Sequence, residues 1–180
     1  VGEKEFFSLR FHVTPDVLIP RAETEELVEC VVDLCRQAAW ETPRLWDLGT
    51  GSGCIAIAVL SQLPNATCLA TDASPAAVEI TKKNAERHGV NDRMTIQEAN
   101  QLALPEGAIP EGGFHILMCN PPYIPVAQMA TLDRAVRDFE PRAALTDEGD
   151  GLSFYRVLAR ESSRWLSPDG LVAVEIADGC

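Results

Sequence analysis

Leu45-Trp46-Asp47-Leu48-Gly49-Thr50-Gly51-Ser52-Gly53-Cys54-Ile55-Ala56-Ile57-Ala58-Val59-Leu60 is the stretch on which the fold turns. Its first four residues read as a core strand, its glycine-rich middle as a tight loop, and the apolar run from Cys54 to Leu60 as a helix. Glycines let a backbone turn sharply and approach a ligand, and the first N–H groups of a helix have no partner within it. Strand, glycine loop and helix, in that order, make the arrangement that binds a nucleoside-bearing cofactor. Gly49, Thr50, Gly51, Ser52 and Gly53 are therefore candidate cofactor-binding residues. A glycine pattern alone is weak evidence, and its placement between strand and helix gives it force.

Downstream the alternation continues. Cys68-Leu69-Ala70-Thr71 is a second strand that ends at Asp72, where a carboxylate can accept both hydroxyls of a ribose. Asp72 could equally cap the following helix, although Ser74 with Pro75 already supplies that start. The helix runs from Pro75 to His88 and stops at Gly89. Met94-Thr95-Ile96-Gln97-Glu98 is a third strand, and the side-chain amides of Asn100 and Gln101 stand at its end, ready to meet an adenine edge. A Pro- and Gly-rich loop over 105–113 precedes a fourth strand, Phe114-His115-Ile116-Leu117-Met118-Cys119. Strands alternating with helices predict an α/β domain with a parallel sheet and right-handed crossovers.

The fourth strand runs into Asn120-Pro121-Pro122-Tyr123. Two prolines cannot extend a central strand, because neither has an N–H to donate. The chain must leave the sheet at its carboxyl edge, where ligands bind in such folds. The Asn120 side-chain oxygen and the Pro121 carbonyl can both accept from one planar NH2 group, and Tyr123 can offer a ring face. The tetrapeptide reads as a socket for an amide or exocyclic amine, against the plainer reading of a strand-ending turn. Asn120, Pro121 and Tyr123 are the candidate catalytic residues; these three and Pro122 are candidates for binding the substrate, and Asn120 is a candidate for binding the cofactor as well.

Upstream, Phe7, Leu9, Phe11 and Val13 alternate within a strand expected over Glu5–Val13. A turn at Thr14-Pro15-Asp16 is expected to return the chain as a short strand, Val17-Leu18-Ile19, so that residues 1–20 form a hairpin over one edge of the cofactor pocket. Thr24 is the expected N-cap of a helix striped with Leu27, Val28, Val31, Leu34, Cys35 and Ala38. Toward the other end, Asp133–Phe139 and Leu152–Leu166 read as helices, and Ser167-Pro168-Asp169-Gly170 as a turn into a fifth strand, Leu171–Ile176.

The composition narrows the partners. The chain has 180 residues, enough for one core without covalent staples, and a net charge of −12, which lacks the basic footprint for tracking phosphate backbones. Its six cysteines include no CxxC pair and read as small core residues in a reducing compartment, the cytoplasm. His12, His88 and His115 are scattered, with no metal-ligand spacing. The chain opens on Val1 and shows no signal-peptide layout, so a piece of a longer protein is expected.

Taken together these segments resemble the class I S-adenosylmethionine-dependent methyltransferases, and more closely the HemK/PrmC family, which methylates the glutamine of a Gly-Gly-Gln motif in peptide-chain release factors. The likeness rests on Val17-Leu18-Ile19-Pro20-Arg21-Ala22-Glu23-Thr24-Glu25, the Asp47–Gly53 loop, Asn120-Pro121-Pro122-Tyr123-Ile124, and Glu140-Pro141-Arg142-Ala143-Ala144-Leu145 leading to Gly149-Asp150-Gly151-Leu152. The chain departs from the family at Ala22, where Pro is usual, at Asn100, where Asp is usual, and at Gln101, often aromatic or apolar. The resemblance implies a Rossmann-like fold, with a mostly parallel sheet of order 3-2-1-4-5 and helices on both faces. It implies a catalytic domain over 21–180, expected to be cut short at its C-terminal end, behind the 1–20 hairpin segment. It further implies S-adenosylmethionine as cofactor, S-adenosylhomocysteine as product, a release factor as substrate and a monomer. The rival readings are an adenine-N6 methyltransferase acting on DNA or RNA, a NAD-binding Rossmann protein, and a scaffold that binds the cofactor without turnover.

Overall fold

A computed structural model describes residues 2–100, 103–104 and 106–177. Its centre is a five-stranded parallel sheet built from β3 (Arg44–Leu48), β4 (Thr67–Asp72), β5 (Met94–Glu98), β6 (Phe114–Cys119) and β7 (Leu166–Val174). The order across the sheet is β5-β4-β3-β6-β7, which is 3-2-1-4-5 counted from the first core strand. From β3 the chain first crosses to one side, to β4 and β5, and then returns to the other, to β6. That reversal opens a crevice at the carboxyl ends of β3 and β6.

Strand periodicity divides the core in two. Leu45, Ile116 and Met118 point to one face, where they pack with α1 (Glu25–Gln37), α2 (Cys54–Gln62) and α3 (Pro75–Arg87). Trp46, Leu48, Leu117 and Cys119 point to the other, against Leu158 of α4 (Ser153–Glu161) and Trp165. Because both faces are covered, β6 is apolar but for His115, as a buried parallel strand must be, and β3 is apolar but for Arg44 at its start and Asp47 near its end. Helix α2 is buried from Cys54 to Leu60, which explains why its sequence carries no polar stripe. No helix among the described residues is long and apolar enough to cross a membrane.

The N-terminal hairpin exists, but its strands differ from those expected. It pairs β1 (Glu3–Phe6) with β2 (Leu9–His12), and the turn falls at Phe7-Ser8, both with positive φ. Two positive φ angles give the tight connection whose twist suits a hairpin. Val17–Ile19 forms no strand. The hairpin instead leans on α3: Asn84 accepts from the His12 N–H and donates back to the His12 carbonyl.

Three smaller readings also change. The expected turn at Ser167–Gly170 lies within β7 as an irregularity, since Phe114 pairs with Leu166 and Ile116 already pairs with Leu171. The last long helix ends at Glu161 and continues only as a 3-10 turn over Ser162–Arg164. Of the cysteines, Cys35, Cys54, Cys68 and Cys119 are buried, whereas Cys30 is exposed on α1; Cys180 lies outside the described residues.

Candidate functional site

The glycine loop leaves β3 and is pinned from behind. The Gly49 and Thr50 N–H groups donate to the Thr71 carbonyl at 2.8 and 3.0 Å, and the Gly51 N–H donates to Asp72 Oδ2 at 2.9 Å. Thr81 donates its hydroxyl to the Gly51 carbonyl, and Asn84 donates to the Ser52 carbonyl. With these anchors on the protein side, the other side of the loop is open. Gly51 has φ +57, and a Cβ built there meets nothing within 4 Å, so its empty flank belongs to the crevice.

Asp47 lies fully buried beneath the loop and accepts from the Thr50 hydroxyl at 2.7 Å, while its Oδ1 has no partner. Burial pushes its pKa up to about 7, against the smaller opposing effect of the Thr50 bond. Burial likewise raises the neighbouring Cys54 thiol to about 12, so no thiolate nucleophile sits there at neutral pH.

A cavity of about 430 Å³ fills the crevice. That is within the range of small-molecule sites. Its walls include Gly49, Thr50, Gly51, Ser52, Asp72, Ala99, Asn120, Pro121 and Pro122, roofed by Pro15–Arg21 and Pro141. Asp72 therefore does two things. It braces the loop through Gly51 and the Ser74 N–H, and each of its oxygens keeps a further lone pair for a ligand. Gly53 stands behind the loop as the residue before α2, and a Cβ there would strike the Thr81 methyl at 2.9 Å. Asn100 is exposed and outside the cavity wall, which its neighbour Ala99 lines; Gln101 lies outside the described residues.

A second, smaller cavity of about 90 Å³ adjoins the first. Leu18, Arg21, Asn120, Pro121 and Ala144 line both. Tyr123, Ile124, Val136 and Glu175 line only the smaller one. Asn120 and Pro121 thus form part of the wall between a cofactor-sized space and a space for a small planar group.

Side chains far apart in sequence hold that wall. Asn120 Nδ2 donates to Glu175 Oε2 at 2.9 Å and to Thr24 Oγ1 at 3.2 Å. The Thr24 hydroxyl donates to the same Glu175 oxygen at 2.6 Å, and the Tyr123 hydroxyl to Glu175 Oε1 at 3.1 Å. Burial first, and then the Glu175 charge, push Tyr123 up to about 12, so the phenol stays protonated and acts as a donor. Glu140, buried, accepts from Arg21 Nη2 at 2.5 Å and from the Ile19 N–H, which ties the roofing segment down.

Thr24, Arg21, Glu140 and Glu175 were not singled out as site residues by sequence. Thr24 does precede α1, as expected, but its side chain makes no cap hydrogen bond and goes to Glu175 instead. Glu175 did carry a signal: like Asp72, it is an acid that ends an apolar strand run.

Comparison with known proteins finds methyltransferases. Residues 24–152 match the methyltransferase small domain. The release factor glutamine methyltransferase of Geobacter sulfurreducens is 42% identical over 179 residues, covering 99% of this chain and 60% of its own length. The chain thus spans about three-fifths of that relative. Among solved structures, the human METTL16 catalytic domain in complex with a MAT2A 3′UTR hairpin gives a TM-score of 0.69 at 22% identity, over 89% of this chain and 58% of that one. The N-terminal domain of human METTL16 in complex with SAH gives 0.50 at 25% identity, over 73% of this chain and 55% of that one.

Proposed function

The chain belongs to the methyltransferase small domain family, and from that premise we propose that it transfers a methyl group from S-adenosylmethionine to the side-chain amide nitrogen of a glutamine in a peptide-chain release factor. One observation carries the reading: the large and small cavities meet at Asn120 and Pro121. A name supports the acceptor, since the relative from Geobacter sulfurreducens is a release factor glutamine methyltransferase. Residues 21–180 act as the catalytic domain, behind the 1–20 hairpin segment, in the cytoplasm.

The residues present fit the cofactor. The open flank of Gly51 suits the methionine portion, Asp72 the ribose hydroxyls, and the wall at Ala99 the adenine. When bound, the cofactor supplies an electrophilic methyl group on a sulfonium.

The protein's task is to present the nitrogen. An amide nitrogen is a weak nucleophile because its lone pair is delocalised into the carbonyl. Asn120 Oδ1 and the Pro121 carbonyl accept its two N–H groups, which orients the lone pair and stabilises positive charge that grows on nitrogen. Positioning of this kind contributes ~7–11 kcal/mol in favourable cases. Tyr123, held neutral, packs on the amide plane and takes no proton; the S–CH3 bond would break as the N–C bond forms, and the methylated nitrogen would then release one N–H proton to solvent. The small cavity beside Asn120 and Tyr123, about 90 Å³, is where the carboxamide would lie.

The test is a transfer assay with labelled S-adenosylmethionine and three acceptors: a release factor, the same factor with its motif glutamine changed to alanine, and adenine-containing DNA. Label on the first alone is the expected result. Label on the DNA, or equal label on both protein acceptors, would overturn the assignment.

A further inference from the structure

Glu175 accepts three hydrogen bonds from side chains that converge from two distant parts of the chain: Thr24 before α1, and Asn120 and Tyr123 after β6. A carboxylate is an acceptor only. The single hydroxyl proton of Thr24 is spent on Glu175 Oε2, which leaves Thr24 Oγ1 as an acceptor toward Asn120. Asn120 Nδ2 therefore faces two acceptors, at 2.9 and 3.2 Å. Turning the amide over would set Asn120 Oδ1 against Glu175 Oε2, oxygen to oxygen with no proton between, and could satisfy it at Thr24 only by taking the hydroxyl proton away from Glu175. The arrangement favours the orientation with the nitrogen inward and Oδ1 left for an incoming donor.

Glu175 is itself held. Its N–H donates to the Cys119 carbonyl at 3.1 Å, beside Asn120, and its carbonyl accepts from the Tyr155 hydroxyl at 2.8 Å. Thr24 is almost fully buried, so water competes little for its hydroxyl.

We propose that Glu175, with Thr24 as its relay, is the positioning residue that sets the polarity of the Asn120 amide and the tilt of Tyr123, and so decides that the small cavity accepts N–H donors. This deepens the amide-methylation reading and rests on it for its kinetic consequence. The orientation of Asn120 itself rests only on the hydrogen bonds above.

The experiment uses Glu175→Ala, Glu175→Gln and Thr24→Val, read in two ways. The first is the side-chain amide signal of Asn120 in the free protein by 15N NMR, assigned through Asn120→Asp. Protected, separately resolved Nδ2 protons are expected in the parent chain. They are lost in Glu175→Ala and retained in Glu175→Gln, whose own oxygen can face Asn120 while its NH2 faces the Tyr123 hydroxyl. The second is transfer to a release factor. A fall in kcat of about 10–100-fold is expected for Glu175→Ala, of the size that small misplacements cost. Partial rescue is expected in Glu175→Gln, a smaller loss in Thr24→Val, and cofactor affinity by calorimetry within about twofold throughout, since uniform binding is untouched.

An unchanged Asn120 signal in Glu175→Ala overturns the proposal, as does a matched loss of cofactor affinity and kcat. If Glu175→Ala fails to fold, Glu175→Gln and Thr24→Val decide, and an Asn120 signal identical to the parent's in Thr24→Val counts against the relay. A parent chain inactive on release factors would sink the acceptor assignment but leave the NMR outcome decisive for the orientation.

Discussion

Glu140 accepts from the Arg21 guanidinium at 2.5 Å, joining two positions 119 residues apart in the chain. The Glu140 side chain is only 3% exposed and also takes the Ile19 N–H, so one carboxylate holds the Pro15–Arg21 segment across the large cavity. That segment has no strand partners of its own, and the contact stands in for a sheet.

Arg21→Ala should therefore loosen the roof. It leaves the buried Glu140 with a single backbone donor. Because Arg21 is itself about a third exposed, the cost is set below that of a fully buried pair, at about 1–3 kcal/mol. Thermal unfolding should show a drop of roughly 3–8 °C, and calorimetry a weaker binding of S-adenosylmethionine. A variant as stable as the parent, with equal affinity, would show that the roof is held elsewhere.

Asn120→Ala separates binding from turnover. The large cavity keeps the glycine loop and Asp72, so cofactor affinity should change little. The acceptor nitrogen loses one of its two hydrogen-bond partners, and kcat should fall about 100–1,000-fold, as when one preorganised polar partner is removed elsewhere. Equal losses in affinity and kcat would place Asn120 on the cofactor instead.

Gly151→Ala tests the packing behind Tyr123. A Cβ at residue 151 would lie 2.2 Å from the Tyr123 carbonyl oxygen, and the backbone there has φ +80. Both the contact and the conformation exclude a side chain, so we expect a loss above about 2 kcal/mol, with the strain borne by the Tyr123 loop. Release-factor turnover should fall more than cofactor affinity. Retention of both would mean that the 147–153 turn moves aside freely.

Two carboxyl groups, one buried and one held by hydrogen bonds near the surface, should pull stability in opposite directions with pH. Asp47 has a folded pKa near 7 against an ordinary 3.8, because burial disfavours its charge. The folded state thus holds the proton more tightly, and stability falls as pH rises from about 4 to about 7, then levels off. Asp147 is the reverse. Burial raises it, but hydrogen bonds from Ser153, Gly149 and Gly151 outweigh that and bring it down to about 2. Its contribution is present above pH 3.8 and is lost as pH falls toward 2. Urea midpoints across pH 3–8 should therefore flatten between 4 and 7 in Asp47→Asn, and lose only their acid limb in Asp147→Asn. An unchanged slope in Asp47→Asn would mean that the carboxyl is hydrated.

Much of the fold could be read from the chain because parallel strands buried on both faces leave an unambiguous mark. The apolar runs at Leu45–Leu48 and Phe114–Cys119 fall in β3 and β6, and the glycine loop and the two prolines mark where each strand ends. The hairpin was harder. Its turn uses Phe7 and Ser8, neither of which announces a positive φ, so the alternation of apolar residues ran straight through it. The roof was harder still, since Val17–Ile19 looks like a strand locally and is placed by a carboxylate more than a hundred positions away. Thr24 shows the same limit: its spacing gives the start of α1 correctly, while its hydroxyl answers to Glu175, a long-range choice that no local preference encodes.

That pairing has a temporal side. Thr24 and Glu175 stand 151 positions apart, near opposite ends of the domain. The cofactor crevice lies at the carboxyl ends of β3 and β6 and needs both strands in place, whereas Asn120 has no carboxylate to face until β7 has paired with β6. With β7 undocked the Asn120 amide would be free to turn, so the polarity of the site is fixed by the same pairing that joins β7 to β6.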